Sequence, residues 1–184
     1  MDPTDAQRPR HRDLEPVWLP TASYLEGSHL QRLMVAMGIV LEVGRAEDAY
    51  AELYWRSIDD PETFWRLTLE ALAVEWFTPF TRVVDLSNGI QWPRWFPGGK
   101  LNLAHNALFR HLRERAEQTA IIWEGEDGAV ASLSYAELAR EVAKAANALR
   151  KLGIGRGDRI GLFLPMLPET AIAALAIGQV GAKL

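Results

Sequence analysis

Two glycine-rich stretches are the first places where this chain of 184 residues invites a chemical reading. Gly153-Ile154-Gly155-Arg156-Gly157 tempts a phosphate-loop assignment, and Gly98-Gly99-Lys100-Leu101 a nucleotide loop. Phosphate cradles follow a strand and open a helix, so that helix-terminal amides point at the anion. The first stretch has the reverse order and reads as a turn from helix to strand. The second lacks both the upstream glycine and the Ser/Thr after lysine. Glu124-Gly125-Glu126-Asp127-Gly128 gathers three carboxylates, but the twelve-residue calcium pattern is missing, so a solvated hairpin turn is expected. His105 and His111 are six apart, on different helix faces, and His11 and His29 lie far from both. A metal pair at i, i+4 is therefore absent. Asp59-Asp60 reads as helix capping, not as paired catalytic carboxylates. No residue is assigned a catalytic, cofactor-binding or metal-binding role.

Composition narrows the class of protein. Hydrophobic residues make up 48% and charged residues 24%, which is globular and not disordered. The absence of cysteine excludes a disulfide scaffold, thiolate metal sites and cysteine nucleophiles. A net charge of −4 argues against nucleic acid or an anionic membrane as partner. The polar start has no apolar signal core, and Leu162–Leu184 is broken by Pro165, Pro168, Glu169 and Gln179, so no membrane span is expected. A cytoplasmic location is the expectation. Six of the seven tryptophans fall in residues 1–100, and the helical pattern there gives way to alternating strand and helix. The seam is placed at Trp92–Lys100, where prolines and glycines punctuate the chain.

These divisions set the elements. Residues 1–20 are a proline-rich tail that docks through Trp18, and 21–100 are a helical extension. Its first helix is expected over Ser28–Leu41, with Leu30, Leu33, Met34, Met37 and Leu41 on one stripe. A second is expected over Ala46–Ser57, with Tyr50, Leu53 and Tyr54 inward. A third starts at Asp60-Pro61-Glu62, where cap, proline and first-turn acid agree. Phe64, Trp65, Leu67 and Leu72 supply its bulk, as core and not as a base-stacking platform, because no basic stripe accompanies them.

Residues 101–184 read as α/β. A helix capped by Asn102 or Asn106 runs to about Glu114, with Leu108 and Leu112 inward. Ala120–Trp123 and Ala129–Leu133 form a hairpin. Ser134-Tyr135-Ala136-Glu137 is a capping box. Behind it Tyr135, Leu138, Val142, Ala145, Leu149 and Leu152 line one helical face up to the stop at Gly153. A strand over Arg159–Leu164 precedes a helix from Pro168 to Val180 that has almost no polar side. Lys183 stands where an aliphatic residue would lead into a next strand, and the pattern looks cut short at Leu184.

Several phrases in this order resemble the start of AMP-forming acetyl-CoA synthetases, in the adenylate-forming acyl-CoA synthetase superfamily. They are Trp95-Phe96-Pro97-Gly98-Gly99-Lys100-Leu101-Asn102, Thr119–Gly125, Leu133–Leu138, Gly153–Arg159 and Leu164–Glu169. Tyr54–Trp65 is similar to the helical extension that precedes the adenylating domain in that group. Trp18-Leu19-Pro20 through Met34 is more like acetoacetyl-CoA synthetases. The resemblance implies an incomplete α/β fold: a helical N-terminal extension, then the first β-hairpin and βαβ elements of a ligase domain that starts at 101. It implies ATP, coenzyme A and Mg²⁺ as cofactors of a full-length enzyme acting on a small carboxylate, acetate being favoured over propionate or acetoacetate. The family's Ser/Thr/Gly-rich loop, its nucleotide motif and its C-terminal lysine do not occur in these residues. The piece is therefore expected to be inactive and to bind none of the cofactors, with the C-terminal remainder of the enzyme as its missing partner. The alternative is a non-catalytic truncated interaction module.

Overall fold

The computed structural model describes residues 21–42 and 44–184. The tail expected over 1–20, with its Trp18 anchor, lies outside the described residues. The chain divides into two compact units, Met1–Ala71 and Leu72–Leu184.

The first unit is helical. A short α1 (Ala22–Leu25) precedes α2 (His29–Ala36), whose N-cap Ser28 accepts from the Gln31 amide at 3.1 Å. α2 ends well before Leu41, and Gly38 is the reason. At φ 72° it lets its own amide reach the Val35 carbonyl and the Ile39 amide reach that of Met34, satisfying two orphan acceptors. α3 (Ala46–Asp59) buries Ala49 and Leu53, one turn apart. Tyr50 and Tyr54, expected inward, lie one position further round and are 61% and 48% exposed. α4 (Pro61–Ala71) is capped by Asp60, whose Oδ1 accepts from the Thr63 amide at 3.0 Å. Phe64 and Leu67 close the core of Met34, Met37, Ile39, Ala49 and Leu53, while Trp65 and Leu72 stay outside it.

The second unit begins with irregular chain. β1 (Val84–Asp85) pairs antiparallel with β2 (Arg94–Trp95), and Thr78 bridges Lys100. The helix expected to run to Glu114 is broken into α5 (Leu103–Ala107), a 3-10 turn at Phe109–His111 and α6 (Leu112–Arg115). Leu108 leaves helical geometry at φ −133° and drops into the core. β3 (Thr119–Glu124) and β4 (Val130–Ser134) form the hairpin, with Gly128 at φ 78° in its turn. α7 (Tyr135–Lys151) starts at the capping box, where Ser134 and Glu137 satisfy each other's amides. Its buried face is Leu138, Ala139, Val142 and Ala146; Leu152 is exposed because it is the C-cap, where the chain turns off the helix. α8 (Pro168–Val180) matches its expected bounds, and no residue from Thr170 to Val180 is exposed. Leu108, Leu138, Ala139, Val142, Ala146 and Ala176 form the centre of this unit.

The strand expected over Arg159–Leu164 is reduced to one parallel bridge, Arg159 to Lys183. The Ile160 amide donates to the Lys183 carbonyl at 2.9 Å and the Lys183 amide to that of Asp158 at 2.8 Å. A strand exists through its ladder, and Lys183 supplies one rung. A parallel bridge across a helix is nevertheless the kernel of a βαβ unit. The fold is thus a helical segment, a hairpin and an incipient βαβ, with small sheets typical of an incomplete α/β fold.

Candidate functional site

The segment Trp95–Asn102 carries the most specific motif, and its backbone is committed to its own shape. The Phe96 amide donates to the Val83 carbonyl at 2.7 Å, and the Pro97 carbonyl accepts from both the amide and the hydroxyl of Thr81. Phe96 sits at φ 50° and Gly98 at φ 80°, so the chain folds back on itself here. Gly99 then lies under Trp76, where an added Cβ would stand 2.6 Å from Cζ3. Trp76, Phe80 and Phe96 pack with ring centroids 5.1–5.5 Å apart. The Gly99 amide donates to Phe96 and the Lys100 amide to Thr78. Neither is aimed at an anion. Asn102 works twice: Oδ1 accepts from the His105 amide at the start of α5, and Nδ2 donates to the carbonyls of Gly178 and Gln179 at the end of α8.

Next to this segment lies an ion pair. Asp85, 8% exposed, receives the Arg94 guanidinium on Oδ2 and the Ser87 amide on Oδ1 at 3.0 Å. The Arg94 hydrogen bond, followed by that from Ser87, holds the Asp85 carboxyl far below the usual carboxylate range. The pair ties the two ends of the loop between β1 and β2 together.

A second cluster surrounds Glu75. Its carboxylate meets His105 Nε2 at 2.6 Å, a bond that lowers its pKa. Its backbone is clasped by Asn106, which accepts from the Glu75 amide at 2.8 Å and donates to the Glu75 carbonyl at 3.0 Å. Arg110 donates to the carbonyls of Leu72 and Ala73. A carboxylate–imidazole pair can shuttle a proton, but here both partners fasten residues 72–76 onto α5 and the turn behind it.

The residues singled out in the sequence do not converge. His105 pairs with Glu75, His111 with Arg110 and Tyr135, and His29 with Arg32. Asp127 accepts from the Ala129 amide within the hairpin turn. Among the described residues no three His, Asp or Glu side chains are placed to hold a metal ion. In the glycine turn, Gly153 at φ 82° closes α7, the Gly155 amide donates to Asp158 Oδ2 at 2.8 Å, and the Gly157 amide to Gly181. The turn joins a helix to the Arg159 bridge, the reverse of a phosphate cradle. Sequence reasoning missed Glu75, Asp85, Arg94 and Arg110. Asp85 and Arg94 flank Asn88-Gly89, a turn signal that would have flagged a hairpin with facing charges.

Comparison with known proteins places this architecture. Residues 50–107 match the family model for the acetyl-coenzyme A synthetase N-terminus, and residues 108–184 that for AMP-binding enzymes. The acetyl-coenzyme A synthetase of Alkalilimnicola ehrlichii is 47% identical over 139 residues, 74% of this chain and 21% of that protein. Acetyl-coenzyme A synthetase 2 of Pseudomonas putida is 39% identical over 150 residues, 80% of this chain and 23% of that protein. The solved structure of acetoacetyl-CoA synthetase from Streptomyces lividans superposes with a TM-score of 0.75 at 33% identity, over 92% of this chain and 26% of the other. The chain thus spans about a fifth of the length of the curated relatives it matches.

Proposed function

From a chain that belongs to the adenylate-forming AMP-binding enzymes, with an acetyl-CoA-synthetase-type N-terminus, we propose the N-terminal part of a short-chain acyl-CoA synthetase. The whole enzyme joins a carboxylate to coenzyme A in two steps. The carboxylate oxygen attacks the α-phosphorus of ATP, pyrophosphate leaves, and the coenzyme A thiol then displaces AMP from the acyl-adenylate. Mg²⁺ offsets the charge on the transferring phosphate. The observation that carries this reading is the ordered match of the two family models along residues 50–184.

Within that enzyme these residues are scaffold. None binds ATP, coenzyme A or Mg²⁺, and none is catalytic. The amides of Gly99, Lys100 and Gly155, where an anion would need free donors, are spent on Phe96, Thr78 and Asp158, which supports this reading.

Acetate is the proposed acid, supported by the acetyl-coenzyme A synthetases that are 47% and 39% identical to this chain. The extension is proposed to run over 21–100 and the ligase domain from 101, supported by the change of family model between residues 107 and 108. Compactness divides the chain elsewhere, after Ala71, because His105 and Asn106 hold Glu75 and Arg110 holds the Leu72 and Ala73 carbonyls to the α5 side. The partner is the C-terminal remainder of the same enzyme, in the cytoplasm; no described helix is long and apolar enough to cross a membrane. The family role is tested by replacing the matching part of the Alkalilimnicola ehrlichii enzyme with this chain: thioester should still form, and a folded but inert chimera overturns that role. The acid is tested on the full-length protein of which this chain is the N-terminal part, with acetate, propionate and acetoacetate. Acetate should be preferred, and a preference for acetoacetate overturns the substrate.

A further inference from the structure

Arg110 directs all of its bonded donors at one small region. Its Nη1 donates to the Ala73 carbonyl, and its Nη2 to that of Leu72 at 3.1 Å. Its Nε–H points at Nε2 of His111, 3.2 Å away. A guanidinium has no acceptor, so Nε2 must carry a lone pair, which makes His111 neutral with its proton on Nδ1. Ala73, held by the same guanidinium, sits at φ 49°, in the left-handed region that a Cβ disfavours. We propose that His111 is a proton-operated latch. A second proton on its ring removes the acceptor, sets imidazolium against guanidinium and frees the Leu72–Ala73 turn from Arg110.

The charged and titratable groups about His111 are Arg110 beside it, Glu75 from the segment after α4, Glu114 and Arg115 one turn on, and Tyr135 of α7, whose ring lies 5.9 Å away. Glu75 is hydrogen-bonded to His105, and its charge also acts on His111 through space. The neighbouring contacts respond differently. A proton on His105 strengthens its bond to Glu75, and the two Asn106 bonds to the Glu75 backbone carry no titrating group. Acid therefore loosens residues 72–73 while Glu75 stays fastened.

The test is an NMR titration of the full 184-residue chain from about pH 7.5 to about pH 5, across the usual range of imidazole. The His111 ring should hold its proton on Nδ1 at the upper end. The amide resonances of Leu72, Ala73 and Val74 should shift with the midpoint of the His111 ring. In His111→Gln, whose carbonyl oxygen accepts but does not titrate, those shifts should vanish; in His105→Gln they should persist. The wild-type titration stands alone if His111→Gln does not fold. A ring proton on Nε2 at the upper end overturns the latch. So do amides that follow the His105 midpoint, or that do not move.

Discussion

At Asp85 the sequence places an acid where the fold hides it, and Arg94 and Ser87 together keep it ionised. Its carboxyl titrates lower in the folded chain than in the unfolded one. Stabilisation from such a group is present above its unfolded pKa of about 3.9, and is lost as pH falls towards the folded value. Asp85→Asn should therefore lower the urea midpoint at neutral pH, and the gap to the parent should shrink by about pH 2.5. A gap of constant size over that range contradicts the assignment. Two glycines give an opposed pair of outcomes. Gly99→Ala drives a methyl group into Trp76 and the Phe96 carbonyl, and should cost about 1–3 kcal/mol by urea unfolding. Gly155 has open space around its Cβ position, so Gly155→Ala should stay within about 0.5 kcal/mol. If Gly155→Ala in an intact relative weakened ATP binding at parental stability, the turn would have to be reread as a nucleotide site.

At the level of the element, α7 is the best-determined part of the chain. Its capping box is complete and its Leu138–Val142 face is buried against Leu108 and Ala176. Ser134→Ala should cost about 1 kcal/mol, and Leu138→Ala about 2–5 kcal/mol through the cavity it leaves. In the chimeric enzyme, turnover per folded molecule should be nearly unchanged in both, since neither side chain makes a contact that strengthens in a transition state. A large loss of turnover at parental stability would contradict the scaffold role. The same element shows what a sequence makes legible. Ser134, Glu137 and Gly153 act on neighbours within four residues, so the type and spacing of the residues suffice. Pro168 and the hairpin turn at Gly128 are legible for the same reason. Gly38 was equally local, and reading it as a stop would have ended α2 correctly. What stayed hidden depends on distant partners. Leu108 leaves its helix because the core between α7 and α8 takes it, some 30 or more residues on. Arg159–Leu164 has the composition of a strand, yet its ladder depends on a segment beyond α8. Glu75 and Asn106 meet across 31 residues, with no motif to announce them.

For the whole molecule, the same imbalance leaves apolar surface outside. Phe163 is fully exposed, and Leu164, Met166 and Leu167 beside it are not buried. Exposed runs of this kind mark surfaces that associate. The purified chain should bind an apolar-surface dye and self-associate as its concentration rises, and Phe163→Ser with Met166→Ser should weaken both. A monodisperse monomer without dye binding contradicts this. The larger claim is that these residues shape an adenylate-forming ligase without touching its chemistry. The measurement that tests it most directly is acetate-dependent exchange of labelled pyrophosphate into ATP by the purified 184-residue chain. No exchange above that of a mock preparation is expected. Exchange that depends on acetate and on the chain would contradict it, and would place a nucleotide site within these residues.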